Sequence, residues 1–219
     1  MTIHWCGTGL SAIPGLRRLI KNGHEVVVWN RTKEKAVNAI GDLAAHVEKF
    51  SKEAIKNALK EGDLLVSMLP GEWQVPLAEF AISKRANFVS SSYISPEMRA
   101  LDIKAKKAQV SLINEVGLDP GIDHLMAHKL IEDYRSSENN IPENNLSFIS
   151  YCGGIPKNPN NFKYKFSWSP LGVLKALKSP SKSILDFKEL NVDRPWNAIS
   201  SYVAPLKHPE TFEVYPNRN

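Results

Sequence analysis

The feature that most limits the possible folds is a glycine-rich loop near the N-terminus. An apolar run over residues 3–6 leads directly into the sequence GTGLSA (residues 7–12), and a run with helical periodicity follows. In such a GxGxxA loop the first glycine permits a tight turn, the second lets a pyrophosphate approach the backbone, and the small Ala12 lets the helix pack against the strand. A strand before the loop and a helix after it are the context that the motif requires, although a glycine turn without a ligand is the alternative. The predicted dinucleotide-binding residues are Gly7, Gly9, Leu10, Ser11 and Ala12.

The end of the second predicted strand indicates which dinucleotide binds. Sites that prefer NAD usually have Asp or Glu there, about 20 residues after the glycines, to bond the ribose hydroxyls. This chain has Asn30-Arg31-Thr32 instead. A guanidinium beside a neutral amide and a hydroxyl favours an additional 2′-phosphate and presents no carboxylate to repel it. NADP is therefore the predicted cofactor, although Arg31 would also suit a solvated position at the start of the next helix.

Beyond Arg31 the chain continues to alternate between helix-like and strand-like segments. The clearest strand is the apolar run that ends at Leu69 and Pro70, where a loop facing the cofactor is expected. This alternation predicts an α/β class and a Rossmann-type, doubly wound parallel sheet of about six strands over residues 1–116. Further strands are predicted over residues 25–29, 87–90 and 110–113, and helices over residues 33–43, 51–60, 75–84 and 96–107.

After residue 134 the pattern changes. Polar, turn-forming segments alternate with runs over residues 146–152 and 164–168 that resemble strands of an antiparallel sheet, and a short helix is predicted over residues 172–178. The last segment contains more large apolar groups than a disordered tail would. We therefore predict a second domain over residues 117–219, which is α+β and incomplete.

Composition and charge narrow the class of protein. A hydrophobic fraction of 42% with 23% charged residues is ordinary for a globular chain. The net charge of +5 is scattered and lacks interleaved aromatic residues, which disfavours a nucleic-acid surface but suits anionic ligands. No apolar run reaches the length of a membrane span, and the two cysteines lack the spacing of metal ligands. The sequence thus predicts a cytoplasmic enzyme without metal, nucleic acid or membrane partners.

The segment 114–124 (NEVGLDPGIDH) joins the last predicted strand to an amphipathic helix. Two glycines and a proline bracket Asp119, a pattern that can bend the backbone so that one carboxylate points to a fixed position. The alternative is an ordinary turn in which Asp119 or Asp123 caps the helix, since aspartate is a favoured N-cap. An oriented carboxylate at this corner is a candidate for proton transfer.

Four motifs follow one another along the chain: SSYISP (residues 91–96), LINEVGLDPGIDH (112–124), SYCGGIP (150–156) and YKFSWS (164–169). Together they resemble the saccharopine dehydrogenases of the L-glutamate-forming type. The resemblance extends over the whole chain and includes the glycine loop. It implies an NADP-binding domain and a substrate domain with a mixed sheet, in chains substantially longer than this one, so the second domain would be incomplete here.

The resemblance also implies a reaction and a set of site residues. L-glutamate and 2-aminoadipate 6-semialdehyde would condense to an imine that NADPH reduces to saccharopine, or the reverse, in lysine metabolism. Tyr93, Asp119 and Cys152 match active-site positions, with Asp119 in proton transfer and Tyr93 as its hydrogen-bond partner or as a group that orients the substrate. The alternative for Cys152 is the usual role of a thiol in a strand, that of a small buried hydrophobic residue. Saccharopine has three carboxylates, so Arg218, which matches a substrate-binding arginine, and more weakly Lys165 are candidate anchors.

Two other functions stay open at this point. Carboxynorspermidine dehydrogenases, which act in polyamine synthesis, share the architecture but have a different central motif. A catalytically silent nucleotide-binding fragment is the second alternative. Exposed sheet edges in an incomplete domain would favour pairing with another copy, so a homodimer is possible.

Replacing Arg31 by Ala tests the cofactor prediction. Loss of a charge-assisted contact to the 2′-phosphate should weaken NADPH binding about 10-fold and leave NADH binding nearly unchanged, as measured by calorimetric titration. Lys35→Ala, which removes one of the scattered surface cations, should preserve the NADPH-to-NADH ratio. The same ratio in Arg31→Ala as in the wild type would remove the reason for choosing NADP.

Overall fold

The computed structural model of the chain describes residues 1–205 and 209–216. Its contacts separate two compact units, Met1–Ile155 and Pro156–Asn219, which are described one at a time. The functional boundary predicted between residues 116 and 117 stays a prediction. In the described part of the chain, every helix is too short or too polar to cross a bilayer.

The first unit is built on six strands: β1 Ile3–Cys6, β2 Val26–Asn30, β3 His46–Lys49, β4 Leu64–Ser67, β5 Asn87–Ser90 and β6 Leu112–Ile113. They form one sheet in the order β3-β2-β1-β4-β5-β6, and each pair of neighbours runs parallel. This is the strand order of a Rossmann-type, doubly wound sheet, so the predicted α/β class is confirmed. Strand β3 was missed because its sequence, HVEK, is largely polar, as suits an edge strand.

Helices connect these strands at nearly the predicted positions. Ser51 begins one of them by accepting a hydrogen bond from the Ala54 N–H at 3.1 Å. The single helix predicted over residues 96–107 is two helices, divided at the buried Leu101. The helices are α1 Ile13–Lys21, α2 Lys33–Ile40, α3 Lys52–Ala58, α4 Gln74–Ser83 after a 3₁₀ turn at Gly71–Trp73, α5 Pro96–Ala100, α6 Asp102–Ala108 and α7 Ile122–Arg135.

Two hydrophobic cores lie on opposite faces of the sheet. Successive side chains of β1 alternate between them, because residues along a strand point to opposite faces. Ile3 and Trp5 belong to the core that also contains Leu16 of α1, whereas Cys6 belongs to the core with Leu77 of α4. Burial on both faces explains why the central strands are almost continuously apolar in sequence.

A chain of buried hydrogen bonds crosses β1 from β2 to the residue before β4. The Trp29 indole N–H donates to His4 Nδ1 at 3.1 Å, and His4 Nε2 lies 3.3 Å from Asp63 Oδ2. Because the indole can only donate, the neutral histidine must keep its proton on Nε2. Burial lowers the pKa of His4, against the opposing effect of Asp63. Burial acts to raise the pKa of Asp63, but the backbone N–H groups of Thr2 and Lys60, together with His4, bring it below its ordinary value.

The second unit contains a helix, α8 Pro170–Ala176, a 3₁₀ turn at Pro195–Ala198, and four strands: β7 Ser181–Leu185, β8 Lys188–Val192, β9 Ser200–Ala204 and β10 Glu210–Val214. The strands form two antiparallel pairs, β7 with β8 and β9 with β10. Only Asp186 and Phe187, both with positive φ, separate β7 from β8. So short a connection permits antiparallel pairing alone. The described part of this unit therefore has two antiparallel strand pairs and a helix, as the predicted α+β class requires, and its described strands include no parallel pair of a mixed sheet.

The strands predicted over residues 146–152 and 164–168 are wrong, because both segments are irregular in the structure. An alternating pattern of apolar and polar residues would place the apolar side chains on one side of an extended chain. A β-strand also needs a neighbouring strand for its backbone hydrogen bonds. Between Phe162 and Phe166 the alternation instead brings aromatic rings together. Tyr164 contacts both rings edge to face, with centroid distances of 6.2 and 5.4 Å.

Mild acid should destabilise the first unit because His4 is buried in its neutral form. Below its ordinary pKa of 6.5, the unfolded chain binds a proton that the folded chain does not, so the free energy of unfolding falls as the pH falls through this range. Asp63 acts in the same direction only below about 3.8, the ordinary pKa from which its own is lowered. His4→Gln should therefore lose less stability than the wild type between pH 7.5 and 5.0, as measured by urea unfolding.

His24→Gln is the matched control, since His24 is exposed. This variant should show the pH dependence of the wild type. If His4→Gln and the wild type lost stability equally over the same range, buried neutral His4 would not be the cause.

Candidate active site

Gly7 follows β1 and brings two loops into contact. Its φ is +101°, and a Cβ atom at this position would lie 3.0 Å from the Met68 carbonyl oxygen and 3.1 Å from Leu69 Cδ2. Both the backbone conformation and the space therefore require glycine. The Met68 N–H donates to the Cys6 carbonyl at 2.9 Å, which joins the loop after β4 to the end of β1. Leu69 thus lies against the glycine loop, and the exposed Pro70 follows it.

Gly9 is in the opposite situation, because a Cβ atom there would meet nothing within 4 Å. Contacts within the chain do not require a glycine at this position, whereas a phosphate bound against the backbone would. The Ala12 N–H donates to the Gly9 carbonyl at 3.0 Å, and Ala12 is buried at the start of α1. Helix α1 has no side-chain cap and no acidic residue in its first turn. The open space and the uncapped helix end fit a dinucleotide pyrophosphate, with Leu10 and Ser11 exposed beside it.

The residues predicted to recognise the 2′-phosphate lie at the same edge of the sheet, after β2. Asn30 Nδ2 donates to the Thr32 carbonyl at 2.8 Å and closes the turn into α2. Arg31, between them, is exposed. Since β1 lies between β2 and β4, the structure brings all the predicted cofactor residues to the carboxyl ends of three adjacent strands. Their individual roles stay predictions.

The loop that contains Asp119 is folded tightly on itself. Gly121 has φ +142°, and a Cβ atom there would lie 2.4 Å from the Glu115 carbonyl oxygen and 2.5 Å from that of Gly117. Asp123 Oδ1 accepts a hydrogen bond from the Gly121 N–H at 2.7 Å, whereas no side chain caps α7 at its N-cap position. Asp123 therefore binds the backbone at the start of α7, and the carboxylate of Asp119 points away from this hydrogen bond.

The Asp119 carboxylate meets two of the predicted site residues. The Tyr93 hydroxyl donates to Asp119 Oδ1 at 3.0 Å, and the Cys152 thiol also forms a hydrogen bond to Asp119. Desolvation, the negative charge of Asp119, this hydrogen bond and the charge of Asp123 all raise the pKa of Cys152, so the thiol stays protonated and donates. Cys152 is exposed, unlike the buried hydrophobic residue considered as the alternative. The structure thus unites Tyr93, Asp119 and Cys152, which are far apart in sequence.

Glu115 joins the loop of Tyr93 to that of Asp119, and the sequence did not reveal it. Its carboxylate accepts a hydrogen bond from the Ile94 N–H at 3.1 Å, and its own N–H donates to the Ser92 carbonyl at 3.2 Å. Its φ of +60° is unusual for a residue with a side chain. The only signal in the sequence was an acidic residue two positions after a strand.

The two predicted substrate anchors stay predictions. Lys165 is exposed in the second unit, and Arg218 lies outside the described residues. Within residues 1–205 and 209–216, no three His, Cys, Asp or Glu side chains form a group that could hold a metal ion. The cluster around Asp119 is therefore the part of the site that the geometry supports.

A parallel sheet in this order, with a GxGxxA loop at its centre, defines a dinucleotide-binding α/β protein. The family model for the saccharopine dehydrogenase NADP binding domain matches residues 3–113, and that for the saccharopine dehydrogenase C-terminal domain matches residues 117–219. The chain belongs to the saccharopine dehydrogenase family. The match confirms both the resemblance inferred from sequence and NADP as the cofactor.

Similar proteins carry this family name. The chain is 35% identical over 221 residues to saccharopine dehydrogenase (NADP(+), L-glutamate-forming) of Pyricularia oryzae, covering 97% of this chain and 48% of that protein. For the enzyme of the same name from Saccharomyces cerevisiae the identity is 34% over 223 residues, with the same coverage. A structure of apo saccharopine dehydrogenase (L-Glu forming) from that yeast has a TM-score of 0.81 and 32% identity, covering 99% of this chain and 49% of the other. The chain spans about half the length of these relatives.

Removing the charge of Asp119 should make Cys152 more reactive. The negative charge of Asp119 and its hydrogen bond both raise the pKa of this thiol. Asp119→Asn removes the charge and weakens the hydrogen bond, so a larger fraction of Cys152 is thiolate at pH 8. Its modification by a disulfide reagent should become about threefold faster or more. The other cysteine, Cys6, is fully buried, so the fast phase reports Cys152 alone.

Asp123→Asn is the matched control. Asp123 affects the thiol through its charge, and Asn can still accept from the Gly121 N–H, so a smaller increase is expected. Equal rates in Asp119→Asn and the wild type would show that Asp119 does not control the thiol.

Proposed function

We propose that the chain provides the cofactor site and the proton-transfer group of an NADP-dependent oxidoreductase that acts on the C–N bond of saccharopine in lysine metabolism. The observation that carries this proposal is the bonding of Tyr93 and Cys152 to Asp119, in the loop that leaves the nucleotide-binding sheet. Membership of the family supports the choice of substrate.

NADPH, when bound, supplies the hydride that reduces the imine carbon. The chain's own residues must bind and orient the reactants and move protons. Condensation of glutamate with 2-aminoadipate 6-semialdehyde passes through a carbinolamine, whose hydroxyl leaves as water after it gains a proton. Asp119 is the group that we assign to this transfer at the carbinolamine oxygen, and in the reverse direction it accepts a proton from the attacking water.

Tyr93 and Cys152 have a supporting part in this scheme. Both are neutral donors to one carboxylate, so they restrict its orientation without adding a competing cation. Glu115 holds the loop of Tyr93 against that of Asp119, so the pair is positioned by backbone contacts as well. A carboxylate held in one orientation is what general acid–base catalysis requires before its pKa matters.

Other parts of the proposal rest on the sequence alone. Lys165 and Arg218 are proposed as anchors for the substrate carboxylates. The homodimer and the cytoplasmic location stay predictions. One structural observation supports the homodimer. Helix α7 has no buried residue and exposes Leu125 and Met126, which would suit contact with a second copy of the chain.

A turnover assay tests the function. NADPH absorbance should fall only when glutamate and the semialdehyde are both present. Asp119→Asn should lower kcat/KM by about 100-fold or more, because a positioned acid or base contributes a factor of that order. Asp133→Asn is the control, since Asp133 pairs with Lys129 on the exposed side of α7 and should leave turnover unchanged.

The other outcomes separate the alternatives. Oxidation of NADPH with either substrate alone, or full activity of Asp119→Asn, would contradict the proposal. Activity with diaminopropane in place of glutamate would indicate the polyamine reaction. NADP⁺ binding without turnover would identify a nucleotide-binding chain that lacks catalysis of its own.

A further inference from the structure

Gln74 is a buried polar residue that has no part in the proposed reaction. It is the first residue of α4 and is 4% exposed. Its side-chain Nε2 donates to the Leu69 carbonyl at 2.6 Å, and its Oε1 accepts from the Ser90 hydroxyl at 2.9 Å. Neither bond is made to its own helix, so Gln74 does not act as a helix cap.

Each atom of this arrangement has a single role. The Leu69 carbonyl can only accept, so Nε2 must face it and Oε1 must face Ser90. The Ser90 hydroxyl therefore donates to Gln74, and its oxygen accepts from the Ser92 N–H at 3.0 Å. These three hydrogen bonds form a relay, Leu69–Gln74–Ser90–Ser92, that has one direction.

The relay joins the two loops on which the proposed reaction depends. At one end, Leu69 belongs to the loop that lies against Gly7 and is predicted to face the nucleotide. At the other end, Ser92 directly precedes Tyr93, and its carbonyl accepts from the Glu115 N–H. The bonds thus run along the carboxyl edge of the sheet from β4 to β5 and on to the loop of Asp119.

Because the relay is buried, its hydrogen bonds favour one arrangement of the two loops over others. Ser90 is 1% exposed, so water does not readily replace a lost partner. Leaving a buried polar atom without its hydrogen bond costs about 1–3 kcal/mol. If Leu69 or Ser92 moved away, a buried polar atom of the relay would lose its hydrogen bond. The positions of the two loops are therefore coupled.

We propose that Gln74 is a positioning residue, which acts through Ser90 to hold the loop of Tyr93 in a fixed place relative to the nucleotide loop at Leu69. Its effect on catalysis rests on the proposed function, since it requires the nucleotide at Leu69 and the Tyr93–Asp119 pair at work. The coupling of the loops does not rest on it.

Gln74→Met and Ser90→Ala test the coupling. Methionine keeps the length and volume of glutamine but forms neither hydrogen bond. In the ligand-free chain, amide hydrogen exchange over residues 91–94 should become about 10-fold faster in Gln74→Met, although both hydrogen bonds of the Gln74 side chain are made to other residues. NADP⁺ affinity should fall about 3- to 10-fold in both variants. Because the relay acts as a unit, the double variant should show no more than the larger single effect.

Ser83→Ala is the matched control. Ser83 lies at the other end of α4 and is exposed, and its hydroxyl donates to the Phe80 carbonyl. This variant also loses one hydrogen bond of the same helix, but exchange over residues 91–94 and NADP⁺ affinity should match the wild type.

Gln74→Glu separates hydrogen bonding from packing. A protonated carboxyl group can donate to the Leu69 carbonyl and accept from Ser90, as the amide does, whereas the ionised form has no donor for Leu69. Exchange over residues 91–94, relative to the wild type at the same pH, should therefore be near normal in mild acid and faster at higher pH. Exchange that stayed fast in mild acid, where the protonated side chain can form both hydrogen bonds, would contradict the role of these bonds.

Additive effects in the double variant, or unchanged exchange over residues 91–94 in a folded Gln74→Met, would overturn the proposal. If Gln74→Met did not fold, Ser90→Ala and the pH dependence of Gln74→Glu would decide it in the same way. A wild-type chain that bound no NADP⁺ would refute the proposed function, while the exchange measurements would still decide the coupling.

Discussion

The close approach of two loops at Gly7 is the constraint on which the site depends. A side chain there would collide with the backbone at Met68, so the ends of β1 and β4 can lie together only because this residue is glycine. That contact sets the edge of the sheet against which the nucleotide site is built. Gly121 has the same function in the second loop, where it lets the backbone fold tightly beside Asp119.

Hydrogen bonds then connect these corners across the carboxyl edge of the sheet. Gln74 and Ser90 join the loops after β4 and β5, and Glu115 joins the loop after β5 to the one after β6. The Tyr93–Asp119 pair lies at the end of this series. The site is thus a property of three adjacent strand ends, which explains why residues distant in sequence act together.

Much of the first unit was predictable, because parallel strands buried on both faces leave a clear apolar pattern and the helices between them are amphipathic. The edge strand at His46–Lys49 was missed, since an exposed edge has little apolar pattern. In the second unit the prediction was poorer. Alternation near Tyr164 reflects aromatic contacts along an irregular segment, so the strand predicted there was wrong.

By itself, the sequence determined the alternation of strands and helices, the glycine loop and the corner at Asp119, because these depend on the conformations of residues that are neighbours along the chain. Only the tertiary structure decided that Tyr93 bonds to Asp119, that Cys152 reaches the same carboxylate, and that Gln74 meets Ser90. Those contacts join residues separated by whole helices and strands. Which of them meet depends on the order of the strands in the sheet, and local periodicity does not encode that order.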